Sequence, residues 1–131
     1  MRIFVNAWFR RFARREKIDD ATLVDAISRA SQGLIDADLG GGVIKQRIAR
    51  RGQGKSGGYR TIIVFRQGEK AFFVYGFAKS SRDNLDEREQ AVYRKAAKEL
   101  LALSDAQIEQ LLERQALAEV KTDGDETTVS I

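Results

Sequence analysis

An α+β fold is predicted for this chain. Two amphipathic stretches precede a block of three strand-like runs, and two more follow it. A glycine run, Gly40-Gly41-Gly42, breaks the chain just before the first long strand. At 131 residues, 43% of them hydrophobic, the chain fits one globular domain with a single modest core. No internal repeat, low-complexity tract or linker divides it. We place the domain at 1–120 and a polar, acidic, fraying tail at 121–131.

Residues 2–5 read as a short strand. Asn6 then suits the cap of a helix over about 7–17, with Trp8, Phe9 and Phe12 turned to the core. A second helix starts at Asp19 or Asp20, carries Leu23, Ile27 and Ala30 on one stripe, and stops at Gly33. Strand patterns follow at 43–49, 59–66 and 70–78, the last two joined across Gln67-Gly68-Glu69 as an antiparallel hairpin. Phe72, Phe73, Val74, Tyr75 and Phe77 make the third run the most apolar, hence the central strand. Asn84-Leu85-Asp86-Glu87 fits a capping box that opens a helix to about 102, burying Val92, Ala96, Leu100 and Leu103. Ser104-Asp105-Ala106-Gln107 fits a second box, with its helix running to about 117.

The chain contains neither cysteine nor histidine. Disulfides, thiol nucleophiles and zinc clusters are thereby excluded, and histidine-based acid–base chemistry and most transition-metal sites lose their usual base or ligand. Any chemistry must use Lys, Arg, Tyr, Asp, Glu or backbone groups. We expect no metal and no small-molecule cofactor. No apolar run approaches the ~20 residues needed to cross a bilayer. The start, MRIFVNAWFRRFARR, has its cations after and among the apolar positions, unlike a signal peptide. An amphipathic membrane-surface helix is the competing reading of that segment, against core packing of Ile3, Phe4, Trp8 and Phe12. We expect a cytoplasmic protein with no membrane partner.

Net charge is +4, but it is unevenly spread. Residues 43–82 carry ten cations and one acid, whereas 83–131 carry six cations and twelve acids. Within 43–60, VIKQRIARRGQGKSGGYR, there are six cations (Lys45, Arg47, Arg50, Arg51, Lys55, Arg60) and no acid. As a strand, 43–49 turns Ile44, Gln46 and Ile48 to one face and Val43, Lys45, Arg47 and Ala49 to the other. Lys45 and Arg47 then share a face and neighbour Arg60 across the sheet. Lys79, with Arg82 close behind, ends the third strand at the same end. A solvated β face is the plain alternative, yet like charges on paired strands repel, and a purely structural surface usually mixes in acids. The surface suits a polyanion, of which nucleic acid is the commonest.

Gly54-Lys55-Ser56 superficially suggests a phosphate loop. The pattern needs glycine where Ala49 stands, and a strand rather than a helix follows, so that assignment is rejected. The glycines instead let the loop approach a nucleic-acid backbone, with Lys55 reaching a phosphate. Tyr59 and Tyr75 suit either base stacking or half-buried sheet packing. Arg10, Arg11, Arg14 and Arg15 form a solvated helix face. Asp36 and Asp38, ahead of the glycine run, read as turn formers.

GKSGGYRTIIVF followed by FFVYGFAKS, behind two helices and a strand with spaced cations, resembles the RelE/HigB-type toxins of bacterial toxin–antitoxin modules. The similarity spans roughly 1–115 and includes GLIDADLGGGVIK and IARRGQGKSGGYR. It implies a small α+β fold with helices on a twisted antiparallel sheet of three to four strands. It also implies a metal-independent endoribonuclease that cuts mRNA on the ribosome, neutralised by a cognate antitoxin of helix-turn-helix type. In that chemistry a 2′-hydroxyl attacks the scissile phosphate in line while cations stabilise the transition state. The family's catalytic positions fall on Lys45, Arg47, Lys55, Arg60 and Lys79; Arg50, Arg51, Tyr59, Tyr75 and Arg82 are the RNA-binding candidates. A dense cationic cluster disfavours a lysine's charged form, which offers Lys45 as base and Lys55 as acid. Residues 80–92 lack the tyrosine that some relatives place after the last strand, and Tyr93 falls within a predicted helix. The alternative is a non-enzymatic protein: a gyrase-poisoning toxin or a basic RNA-binding module.

Overall fold

The protein is seen in a computed structural model, which describes residues 1–50, 54–79, 82 and 84–122, without the side chains of 50 and 54–57. The element order is β1 (Arg2–Asn6), α1 (Ala7–Glu16), α2 (Asp20–Ser31), β2 (Ala37–Gly40), β3 (Val43–Arg50) and β4 (Gly54–Arg66). Then follow β5 (Lys70–Ala78), α3 (Glu87–Leu101), α4 (Asp105–Glu113) and β6 (Leu117–Glu119). The class is α+β, as predicted. The strands form a single sheet in the order β2-β3-β4-β5-β1-β6. The expected three to four antiparallel strands are corrected to a mixed, six-stranded sheet. β2 and β6 are short additions at the two edges, and β1 runs parallel to β5 with Phe4 opposite Phe72.

Helices cover both faces. On one, α1 and α2 pack Phe9, Phe12, Leu23, Ala26 and Ile27 against Ile44 and Ile48 of β3, Ile63 of β4 and Phe73 of β5. Asn6 caps α1 by accepting from the Phe9 amide at 2.7 Å, and Asp19 caps α2 by accepting from Thr22 at 2.9 Å. On the other face, Phe4, Val43, Ile62, Val64, Phe72 and Phe77 meet Ala97 of α3 and Ile108 of α4. Phe4 and Phe72 stack there with centroids 5.1 Å apart.

The α3 stripe is corrected in part: Leu100 and Leu103 pack on this core as expected, whereas Val92 does not. The α3 capping box uses Asp86 and Glu89 rather than a start at Asn84, and Ala97 is buried while Val92 is 61% exposed. The box at Ser104 and Gln107 forms as predicted. Its helix ends at Glu113, because Gln115 takes a left-handed φ of 61° and the chain turns into β6. Val120 is buried, and the Lys121 amide donates to Asp20 at 3.1 Å, so residue 121 does not fray. Residues 123–131 of the predicted tail lie outside the described residues.

Two features set the candidate site. The Gly40–Gly42 turn, with φ of 87°, 62° and 86°, folds β2 back onto β3 and brings Ala37 opposite Lys45. β4 begins at Gly54, earlier than the predicted 59, and pairs with β3 through Arg47 opposite Arg60. A register shift lies between Ile48 and Arg50. At that shift a Cβ on Gly58 would stand 2.2 Å from the Ile48 carbonyl oxygen, so the backbones approach as only glycine allows.

Candidate active site

β3 and β4 place three cations on the α3 side of the sheet. Arg47 and Arg60 are cross-strand partners, and Lys45 sits two residues along β3 on the same face. All three turn to one carboxylate, Asp36. Its Oδ1 is 3.3 Å from Arg47 Nε, and its Oδ2 is 3.5 Å from Arg60 Nε and 3.7 Å from Lys45 Nζ. Side-chain exposure grades from 6% at Arg60 through 14% at Lys45 to 49% at Arg47. The cluster therefore has a buried floor and an open rim, and its three cations outnumber its one anion by two.

The floor is not saturated. Arg60 Nη1 is buried and has no hydrogen-bond partner among the described residues. A buried guanidinium donor left without an acceptor is costly and calls for a reason. An incoming anion would supply one. Lys45 Nζ donates to Asn84 Oδ1, tying the rim to the segment before α3.

Asp36 is held from behind. The Gln46 side chain is 1% exposed, lies on the opposite face of β3 and accepts from the Asp36 amide at 3.1 Å. It also donates to the Ala26 and Leu34 carbonyls, each at 3.0 Å. A buried polar residue with both amide atoms hydrogen-bonded fixes the loop between α2 and β2. The prediction of turn formers thus splits. Asp38 does accept from the Gly40 amide at 2.9 Å, but Asp36 belongs to the cationic cluster.

The remaining candidates separate. Lys79 directly follows β5, where its amide donates to Gly58 O at 3.2 Å, and its side chain is exposed two residues beyond Phe77, the partner of Arg60. Arg82 pairs with Glu89, donates to Asn84 O at 3.1 Å and lies over the Phe77 ring. The Glu89 hydrogen bond raises the Arg82 pKa, and the same bond holds the Glu89 carboxyl below the usual carboxylate value. Arg82 is thereby occupied in fastening the segment ahead of α3.

Tyr59 is corrected. It is 3% exposed on the α1 face, and its hydroxyl donates to Glu16 at 2.6 Å, so it cannot stack on a base. Tyr75 packs among Trp8, Phe77 and Tyr93, with the Trp8 centroid 4.6 Å away. Tyr93 carries a pKa pushed up to about 12, first by burial and then by Tyr75 and Glu89, with Arg82 opposing. Its phenolate is disfavoured as a proton acceptor. Arg51 and the side chains of Arg50 and Lys55 lie outside the described residues.

No helix among the described residues is long and apolar enough to cross a membrane. A search of curated proteins returned no match. A family model described as RelE toxin of RelE / RelB toxin-antitoxin system matches residues 1–120. That span takes in the whole described sheet, both helical layers and the cationic cluster. The chain belongs to the RelE toxin family, and so is a toxin of a toxin–antitoxin system whose partner is an antitoxin.

Proposed function

We propose that this toxin is a ribosome-dependent endoribonuclease that cuts mRNA by attack of a 2′-hydroxyl on the adjacent phosphate, without a metal. The observation that carries this reading is the convergence of Lys45, Arg47 and Arg60, with Arg60 Nη1 left unpartnered at the buried floor. A phosphodiester passing to a pentacovalent phosphorane gains negative charge. Preformed guanidinium and ammonium groups therefore favour the transition state over the ground state. Arg47 and Arg60 stay charged throughout and suit the clamp. Lys45 adds positive charge beside them, and Lys79, exposed just past β5, adds to the basic field. Lys55 is the candidate acid for the departing 5′-oxygen, and Arg50 and Arg51 extend the basic track along the message.

The antitoxin in this reading is of helix-turn-helix type and covers the basic face with acidic residues. Retention of the full cationic set argues against a gyrase poison or a passive RNA binder. Purified toxin added to translating ribosomes, with mRNA 5′ ends mapped, tests the proposal. We expect cuts in phase with codons. Intact message together with arrested supercoiling would transfer the toxin to the gyrase-directed class.

A further inference from the structure

We propose that Asp36 is the proton acceptor for the attacking 2′-hydroxyl. This rests on the ribonuclease reading and replaces Lys45, the base offered by a sequence without histidine and without a tyrosine at 80–92.

Three observations point to it. First, Asp36 is the carboxylate on which Lys45, Arg47 and Arg60 converge, all within 3.7 Å. A phosphate seated on those cations places its neighbouring 2′-oxygen about 3 Å from phosphorus in line, within hydrogen-bond reach of the same carboxylate. Second, the Asp36 side chain accepts no hydrogen bond among the described residues; its cations stand at ion-pair distance. Its oxygens are held by charge rather than by directed hydrogen bonds, unlike those of the Glu16 and Glu89 carboxylates, which accept from Tyr59 and Arg82. Third, Asp36 is reachable. Its side chain keeps 17% of its surface exposed, beside the more open Arg47 at the rim of the cluster.

The charged groups around Asp36 are Lys45 and Arg47 of β3, Arg60 of β4 and Arg29 of α2, with Asp38 two residues along the chain. The competing acceptors fit less well. Lys45 is engaged as a donor to Asn84 Oδ1, and the Tyr93 phenolate is disfavoured.

The step balances without any co-reactant. The 2′-hydroxyl proton passes to an Asp36 oxygen as the O2′–P bond forms. The P–O5′ bond then breaks, and the 5′-oxygen leaves with a proton from a lysine ammonium or water. The products are a 2′,3′-cyclic phosphate and a 5′-hydroxyl, and Asp36 returns its proton to solvent. The arrangement also couples charge to chemistry. A neutralised Asp36 ceases to compete for the three cations just as the phosphorane needs them.

Single-turnover cleavage on programmed ribosomes tests this with Asp36→Asn, Asp36→Glu and Asp36→Ala. Affinity is read in parallel on ribosomes whose message carries 2′-deoxyribose at the attacking sugar. We expect Asp36→Asn to cut at least about 100-fold more slowly while binding equally or more tightly, since a general base contributes about 10²–10⁴-fold. Asp36→Glu should retain part of the rate, and added formate should raise the rate of Asp36→Ala but not of wild type. The inference is overturned if Asp36→Asn cuts within threefold of wild type, if formate rescues nothing, or if rate and affinity fall together as for a strut that merely orders the cations. Wild-type toxin that cuts no message at all defeats the ribonuclease reading itself. Cutting by wild type with an unimpaired Asp36→Asn defeats this inference alone.

Discussion

Replacing Arg60 by alanine should lower mRNA cleavage by about 10²–10³-fold, the usual loss when a preformed donor to a developing oxyanion is removed. Arg60 is the most buried of the three clustered cations, at 6% side-chain exposure, and its Nη1 has no protein acceptor among the described residues. Its positive charge therefore acts where solvent screens it least. Arg60→Lys keeps the charge but loses the planar fork, and should fall between the two. The loss should appear in the rate of the bound complex, with the unfolding midpoint little changed, because Asp36 keeps Lys45 and Arg47 as partners. Wild-type cleavage by a folded Arg60→Ala protein would remove the buried floor from the mechanism.

Phe72→Ala should be the most damaging core truncation on the α3 side of the sheet. Phe72 is fully buried on the central strand β5, stacks on Phe4 at 5.1 Å and sits opposite Val64 of β4. Truncating such a side chain costs about 3–5 kcal/mol. That is a large share of the roughly 5–15 kcal/mol that holds a domain folded. Urea unfolding should show the midpoint dropping by more than about 1 M with an unchanged slope. Val92→Ala is the matched control. Val92 is 61% exposed, and its truncation should stay within about 0.5 kcal/mol. Equal losses at the two positions would mean that α3 packs through the stripe expected from its sequence.

That contrast shows where periodicity ran out. Val92, Ala96, Leu100 and Leu103 share helical spacing, and so do Tyr93, Ala97 and Leu100. Alanine at both 96 and 97 leaves the phase undetermined by hydrophobicity, and contact with Val43, Ile62 and Val64 selects the second set. The three long strands were readable because alternation and β-branched runs are local signals. β2 and β6 were not, having four and three residues, and neither was the parallel pairing of β1 with β5. Those pairings depend on partners distant in sequence. The start of β4 at Gly54 runs against strand propensity and is held by its ladder with β3.

The site divides in the same way. Spacing put Lys45 and Arg47 on one face with Arg60 across from them, and the register bears this out. Asp36 could not be placed, because its position follows from the unpredicted pairing of Ala37 with Lys45. Gln46 held a usable clue. A glutamine alternating with Ile44 and Ile48 on a core-facing edge needs buried partners, and one of them is the Asp36 amide. Of the two readings of Tyr59, packing holds; alternation does not say which face of a doubly covered sheet a residue takes. It follows Ile48 to the α1 side, opposite Arg60.

A structure of the toxin on a ribosome, with 2′-deoxyribose at the attacking sugar of its message, would measure directly where the scissile phosphate sits. We expect it within about 3 Å of Arg60 Nη1, with Lys45 and Arg47 on its flanks and the Asp36 carboxylate facing the 2′ position. A phosphate lodged instead on Arg10, Arg11, Arg14 and Arg15 of α1, with Arg60 Nη1 still unpartnered, would contradict this.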